Sequence, residues 1–451
     1  MWTADLNTNM IKVITYGTYD MLHYGHIRLL QRAKLLGDYL IVGVTSDDYD
    51  KTRGKINNQQ SLMERINAVK TTGFADEIIV EEYEGQKIDD IRRLGVDIFT
   101  VGSDWEGHFD YLNEYCKVIY LPRTEGISSS AIRTEKRKLG LGIAGSTSFI
   151  PKFIGEAKFV NGVSITGIYA PELPDTSRMP DMHYTDSYAE LLGISDAVYI
   201  ASHPESHYAD ITTALNAGKH VLCEAPIAMS STECRELFAL AKSKGLILMD
   251  ALKTAYSTAY ERLVLLAKSG KIGRVVSVDS VCTSLRDGFA VSGKNWNAIS
   301  AWGPCALLPV MQILGTDYTS KTYHTKFFDR DANLDAFTKI DFTYPSAVAS
   351  IKVAKGAKSE GTLIITGTEG YIYVPAPWWK TDYFEVRYED QEKTNKFFYQ
   401  LEGEGIRYEI VVFAKSVELA KSGGGIQQNV SEAICQIIGD FNTRKNVVEI
   451  S

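Results

Sequence analysis

Twice along this chain, short β-branched and aromatic runs alternate with helical stretches, and that alternation limits the fold more than any other feature. In the first 135 residues the runs are 12–16 (KVITY), 39–44 (YLIVGV), 77–80 (EIIV), 97–101 (DIFTV) and 117–121 (KVIYL). Short runs without polar alternation are the pattern of strands buried on both faces of a parallel sheet. The first helical stretch is expected over 26–36, with Ile27, Leu30 and Ala33 at helical spacing and Gly37 as its stop. Such alternation predicts a doubly wound α/β sheet. It resumes with strands expected at 141–144, 164–169, 197–201, 220–223 and 246–250, and helices at 208–217 and 231–244. Beyond residue 275 the runs lengthen and alternate: 275–282, 338–344, 347–353, 362–366 and 384–388. Those predict a mostly antiparallel sheet in an α+β unit, with a late helix over 406–421. The expected organisation is three units, 1–138, 139–255 and 256–451, the first two abutting without a Gly/Ser or Pro-rich linker.

Composition narrows the function classes. The 451 residues are 45% hydrophobic and 23% charged, which is globular and excludes dominant disorder. A net charge of −8 gives no broad footprint for nucleic acid or anionic lipid, although a local basic pocket for phosphate remains open. Six cysteines are scattered without CxxC spacing, as expected of reduced thiols rather than a disulfide frame or zinc site. Residues 1–10 lack the apolar core of a signal peptide, and no run reaches the ~20 apolar residues of a membrane span. A cytoplasmic protein with no membrane insertion is the expectation.

Two of the chain's eight histidines fall in one window, His23-Tyr24-Gly25-His26, after strand one and the turn Gly17-Thr18-Tyr19-Asp20. Unpaired N–H groups and positive partial charge at a helix start suit a phosphate. Imidazoles there can donate to charge that develops during phosphoryl transfer. Alone, the pair would equally be a cap and a packing residue. A second cluster, Arg123-Thr124-Glu125-Gly126-Ile127-Ser128-Ser129-Ser130, follows the fifth strand. It brings a guanidinium and another helix start to the same C-terminal sheet edge, where such folds bind ligands.

With those motifs in order, residues 12–135 resemble the cytidylyltransferases of the glycerol-3-phosphate type. The carriers are YGTYDMLHYGH (16–26), LLQRAKLLGDYLIVGV (29–44), VGSDWEGHFDYL (101–112) and YLPRTEGISSS (120–130). The resemblance implies a Rossmann-like HxGH nucleotidyltransferase domain that moves CMP from CTP to a small alcohol phosphate. It implies His23, His26 and Arg123 as catalytic residues. Gly17, Thr18, Tyr19, Asp20, Gly25, Asp104, Trp105, Thr124, Gly126, Ile127 and Ser128 would line the nucleotide, with Asp20 on the side of a Mg²⁺ ion. Arg65 and one of Lys51 or Lys55 would hold substrate phosphate, Lys55 being preferred. The segment 50–61 departs from the family in length and sequence, and it bears on which acceptor is used.

Residues 141–450 resemble the Gfo/Idh/MocA oxidoreductases. The carriers are DAVYIASHPESHYADITTALNAGKHVLCEAP (196–226), GKIGRVVSV (270–278) and GTEGYIYVPAP (367–377). That implies a second Rossmann-like domain of NAD(P)-binding type, a sheet domain used for substrate or dimerisation, and a homodimer or larger assembly. Its dinucleotide signature is eroded. Gly142 and Gly145 stand in the first turn, but Thr147 and Ile150 replace the other glycines. The family's Glu-Lys-Pro reads Glu224-Ala225-Pro226, and an alanine cannot move a proton. The Asp and His of the later motif are missing from 302–309 (WGPCALLP). A degenerate domain that dimerises or senses a ligand is expected, with a live reductase as its rival. His203 and His207 are expected to pack, and Trp378-Trp379 to form an aromatic interface edge.

Overall fold

The computed structural model describes residues 10–52, 58, 60–83, 85–122, 139–160, 162–171, 182–285, 297–399, 401–420 and 425–450. The chain divides into two compact units, 1–137 and 138–451.

The first unit is a parallel sheet of β1 (Lys12–Gly17), β2 (Tyr39–Thr45), β3 (Glu77–Glu81), β4 (Ile98–Gly102) and β5 (Lys117–Leu121), in the order β3-β2-β1-β4-β5. Every run read as a strand is one. Successive residues serve opposite faces: Val13, Leu40 and Val42 pack with Leu30 and Ala33 of α1 (Tyr24–Lys34) and Val69 of α3 (Leu62–Thr71), while α2 (Asp47–Thr52) lies between them in sequence. Ile14, Ile41 and Phe99 pack on the other face with Ile91 of α4 (Gln86–Leu94). Each such side chain contributes about 1.5–3 kcal/mol on burial, so both layers are needed. Gly43 has a specific task. A Cβ there would lie 2.2 Å from the Tyr16 ring, which crosses it so that the Tyr16 hydroxyl can donate to Asp90 at 2.9 Å.

Helix α1 starts two residues before the apolar periodicity suggested. The reason is polar: the extended His23 caps it, Nδ1 accepting from the N–H groups of Gly25 (3.1 Å) and His26 (3.4 Å).

The second unit holds two sheets. One is parallel, with β6 (Leu139–Ala144), β7 (Val163–Tyr169), β8 (Tyr184–Thr185), β9 (Ala197–Ile200), β10 (His220–Glu224) and β11 (Leu248–Ala251), in the order β11-β10-β9-β6-β7-β8. Its helices are α5 (Ile150–Ala157), α6 (Tyr188–Ile194), α7 (Pro204–Asn216) and α8 (Ser231–Ser243). Helix α7 begins four residues before the expected 208, because Pro204 sits in its first turn and His203 caps it. Helix α9 (Thr258–Lys268) leads into the other sheet.

That sheet contains β12 (Val275–Thr283), β13 (Ser320–Asp329), β14 (Leu334–Thr343), β15 (Val348–Ala354), β16 (Leu363–Gly367), β17 (Tyr371–Val374), β18 (Tyr383–Arg387), β19 (Asn395–Phe398) and β20 (Val447–Glu449). Most neighbours are antiparallel, as expected, but β12 pairs with β15, and β13 with β20, in parallel. Three more helices belong to this unit, α10 (Ala298–Leu314), α11 (Ile406–Glu418) and α12 (Gln428–Asn442), and α10 packs on β12, β14 and β15. Helix α10 was not expected, because Pro304 and Pro309 fall inside it. Near-continuous burial from Ala298 to Met311 outweighs the lost backbone bonds. The expected aromatic edge is also corrected: Trp378 is buried, its indole N–H donating to the Val281 carbonyl at 3.2 Å. The six cysteines are free thiols. Among the described residues no helix is long and apolar enough to cross a membrane.

Candidate functional site

In the first sheet the strand order turns from leftward to rightward at β1 and β4. Open α/β sheets hold ligands at the carboxyl ends flanking such a point. Gly17 ends β1, the loop after it contains Thr18, Tyr19 and Asp20, and the turn after β4 contains Asp104 and Trp105. Tyr19 takes a positive φ of 53° and buries its ring against His26, with centroids 5.5 Å apart. His23 and His26 stack at 3.9 Å with 15° between their planes. Because Nδ1 of His23 accepts two backbone N–H groups, its ring is held with Nε2 as the proton-bearing nitrogen. Gly25 lies in the first turn of α1, and its N–H is one of the two that His23 accepts.

The loop is held from below. Thr18 Oγ1 donates to Asp50 at 2.9 Å, and Asp50 also accepts from Asn58 at 3.0 Å. Asp20 is buried and accepts the Gln60 N–H at 3.0 Å, while Gln60 Oε1 accepts the Met21 N–H at 2.7 Å. The structure buries Arg65 completely. Its guanidinium donates to the carbonyls of Thr18 (2.7 Å), Thr45 (2.7 Å) and Gln60 (3.2 Å), and it pairs with Asp47 at 2.5 Å. Arg65 therefore ties the loops after β1 and β2 together, a geometry that its place in the sequence could not reveal. Capping box Ser61–Glu64 begins the helix that carries it.

Asp104 is exposed, and the half-buried Trp105 leans on Phe109 at 5.8 Å. Lys55, Arg123, Thr124, Gly126, Ile127 and Ser128 lie outside the described residues, as does the side chain of Lys51. Asp20 offers a hard carboxylate oxygen suited to Mg²⁺, and an ion there would complete its shell with phosphate oxygens and water. Among the described residues no group of three or more His, Cys, Asp or Glu is placed to hold a metal by itself.

A buried polar group behind the loop escaped the sequence reading. Glu81 accepts from Thr45 Oγ1 at 2.9 Å and pairs with buried Lys87, whose ammonium lies 4.8 Å above the Tyr16 ring. Nothing in EEYEGQK distinguishes these residues from a solvated loop; only the fold draws them inward.

The second parallel sheet has the same edge with other contents. Gly145 adopts φ +139°, and a Cβ there would meet the Ala201 carbonyl oxygen at 2.4 Å. A Cβ at Gly142 would meet Ser195 Oγ at 2.6 Å. Both glycines are thus explained by strand packing. Ser146, Thr147 and Ser148 are exposed, so the turn still offers its backbone to a ligand such as a dinucleotide pyrophosphate. Beyond it the fit fails for proton transfer. Ala225 follows Glu224, whose carboxyl receives the Tyr199 hydroxyl. Burial lifts Glu224 to about 7, opposed by that hydrogen bond and the charge of Lys253. Glu409 is buried with neither carboxyl oxygen hydrogen-bonded among the described residues, and burial followed by the charge of Glu224 holds its pKa well above the usual range. His207 is buried between the carbonyls of Pro226 (2.9 Å) and Ser202 (3.0 Å), a packing role, and His203 caps α7.

Comparison with known proteins follows the same division. The family described as cytidylyltransferase-like matches residues 14–135. The oxidoreductase family with an NAD-binding Rossmann fold matches 139–251. Glycerol-3-phosphate cytidylyltransferase of Bacillus spizizenii (strain ATCC 23059 / NRRL B-14472 / W23) is 48% identical over 130 residues, spanning 29% of this chain and 100% of that protein. The scyllo-inositol 2-dehydrogenase (NADP(+)) IolU of Bacillus subtilis (strain 168) is 24% identical over 269 residues, 56% of this chain and 80% of that one. Among solved structures, KijD10, a 3-ketoreductase from Actinomadura kijaniata in complex with NADP and TDP-benzene, covers 70% of this chain and 100% of its own at a TM-score of 0.60. With 17% identity, that likeness shows the fold alone.

Proposed function

The chain belongs to the cytidylyltransferase-like family and carries an oxidoreductase-family Rossmann domain behind it, and from that premise we propose that its first unit moves CMP from CTP to glycerol 3-phosphate. The products are CDP-glycerol and pyrophosphate. The observation that carries this reading is the stacked His23–His26 pair at the start of α1, above the loop Gly17–Asp20. A phosphate oxygen of the acceptor attacks the α-phosphorus of CTP, and the bond to the β-phosphate breaks in line. Charge grows on the bridging and equatorial oxygens. Two imidazoles meet that charge with donors that need little reorganisation. Thr18, held by Asp50, and Tyr19 shape the triphosphate side; Asp20 would hold Mg²⁺, which neutralises phosphate charge when bound. Arg123 and Thr124 would grip phosphate, with Gly126, Ile127 and Ser128 as the adjoining wall, and Lys55 would face the acceptor. Asp104 and Trp105 would meet the base. Arg65, with its guanidinium taken by three carbonyls and Asp47, would act by holding the Thr18 loop in place.

A CDP-alcohol is an activated donor for a surface polymer such as teichoic acid or capsule, made in the cytoplasm by a homodimer or larger assembly. The second reading is a bifunctional enzyme whose other unit reduces a keto-sugar phosphate with NAD(P)H and so supplies the alcohol phosphate. The open turn 146–148 favours cofactor binding; Ala225 speaks against hydride transfer.

Pyrophosphate release with CTP, Mg²⁺ and a panel of glycerol, ribitol and erythritol phosphates tests both. Turnover of glycerol 3-phosphate without nicotinamide is expected. Turnover only with a keto-phosphate plus NAD(P)H would replace the first reading by the second.

A further inference from the structure

Three lysines from three separate elements meet on one carboxylate in the second unit. Lys152, in the first turn of α5, pairs with Glu404 Oε1 at 2.7 Å. Lys380, in the turn after Trp379, pairs with the same oxygen at 2.7 Å. Lys253, just beyond β11, reaches Oε2 at 3.3 Å, and its ammonium lies 4.7 Å from the Phe149 ring at the head of α5. Partial burial raises the Glu404 pKa, but the bonds from Lys152 and Lys380 and the charge of Lys253 outweigh it and hold the carboxyl at about 2.

One carboxylate cannot balance three ammonium groups. Three ammonium groups converge on it, although the charge of Lys253 also acts on the buried Glu224 and Glu409. Glu156, which a Cβ at Gly403 would meet, pairs with Arg407 at 2.5 Å. Glu224 and Glu409, the buried acids behind the cluster, are both shifted toward their neutral forms. Lys152 also stands at the positive end of its helix, where a cation is disfavoured. Exposed ion pairs contribute little to stability, so a structural clasp does not explain convergent like charges.

The backbone is committed to this geometry. Gly403, Glu404 and Gly405 have φ of 56°, 54° and 92°, a left-handed run that a glutamate rarely adopts. A Cβ at Gly403 would fall 2.1 Å from Glu156 Oε2, and one at Gly405 would fall 2.9 Å from the Lys253 carbonyl oxygen. The two glycines let the turn seat on α5 and on Lys253 at once.

Beside the lysines stands an aromatic wall. Thr254 Oγ1 donates to the Trp379 carbonyl at 3.2 Å, and half-buried Trp379 meets half-buried Trp302 at 5.2 Å between ring centroids. Indole faces accept the C–H groups of a short polyol, while convergent ammonium groups suit a phosphomonoester, which carries nearly two negative charges near neutral pH.

We propose that Lys152, Lys253 and Lys380, with Trp302 and Trp379, form a second small-molecule site that binds a short polyol phosphomonoester. Glu404 keeps the lysines convergent and yields to the phosphate. The site does not rest on the transfer assigned to the first unit.

Calorimetric titration of the full chain with glycerol 3-phosphate tests it. The Lys152→Met/Lys380→Met variant is expected to bind one molecule per chain fewer than the wild type, and glycerol lacking the phosphate is expected to give no heat. Glu404→Gln removes the competing carboxylate and should tighten the second site at least threefold, whereas a purely structural clasp would loosen it. That variant decides the matter if the double variant has lost its melting transition. A stoichiometry in the folded double variant equal to that of the wild type would overturn the proposal. So would displacement of the second molecule by NADPH, which would assign the lysines to a dinucleotide pyrophosphate. Lysine-dependent binding without cytidylyl transfer to any acceptor would sink the transfer reading and leave this one standing.

Discussion

The two parallel sheets have the same strand–turn–helix element at their leading edge, and they use it differently. After β1 the chain turns through Gly17–Asp20 into a helix capped by His23, so the edge ends in two stacked imidazoles. After β6 it turns through Gly145 into a helix that begins at Ile150 without a side-chain cap among the described residues. The first edge ends in two half-buried imidazoles and buries a network that holds the loop beneath them. The second keeps the turn but buries its acids: Glu224 under Tyr199, Glu409 beside it, and Asp250 under Ser431. One backbone plan therefore carries two chemistries, and the side chains at the strand ends decide which.

The contrast can be broken most forcefully at the first edge. Replacing His26 by Ala removes a donor to the transition state. It should lower kcat for cytidylyl transfer about 10²–10³-fold, or roughly 3–4 kcal/mol, with little change in melting temperature. Steady-state kinetics with CTP and glycerol 3-phosphate would measure it, and wild-type turnover in that variant would remove the catalytic assignment.

A smaller effect sharpens the contrast at the second edge. Glu224 has a folded pKa raised to about 7 by burial, and Asp250 is raised to about 6 for the same reason. A raised acid stabilises the fold fully below its unfolded value near 4, and that contribution is lost as pH rises through the folded value. Melting temperature of the second unit should fall between pH 5 and pH 8. Glu224→Gln should flatten part of the slope, on the order of 1–3 kcal/mol since the residue keeps some exposure, leaving a residue from Asp250. An unaltered slope in the variant would show that the buried acids do not titrate in this window.

The smallest test concerns the support of the first edge. Ser61→Ala breaks the capping box of the helix that carries Arg65 and should cost about 1 kcal/mol of stability. If the tie between the two loops depends on that helix start, KM for CTP will rise along with the loss. A fall in melting temperature without any kinetic change would confine the cap to stability.

Much of this was legible beforehand, because strands buried on both faces must be continuous and apolar. The five runs of the first unit match β1–β5 to within one residue. Helix starts were less legible. At α1 the periodicity marks where apolar packing begins, whereas the helix begins where His23 can accept two N–H groups. Helix α10 was hidden for the opposite reason, since Pro304 and Pro309 carry a strong local signal that burial overrides. Arg65 shows the same limit in the site: a basic residue near phosphate-binding motifs suggests a ligand contact, yet its guanidinium is buried among the carbonyls of Thr18, Thr45 and Gln60.

By itself the sequence determined the two strand–helix alternations, the His23–His26 window and the loss of lysine at Ala225. Each depends on residue type and short-range spacing, which the chain carries without folding. Only the tertiary structure decided that Arg65 faces inward, that Glu224 and Glu409 share a buried corner, and that Lys152, Lys253 and Lys380 surround Glu404. Those residues lie up to 252 positions apart, 404 minus 152, and charges that far apart in the chain meet only where packed sheets and helices bring their backbones together.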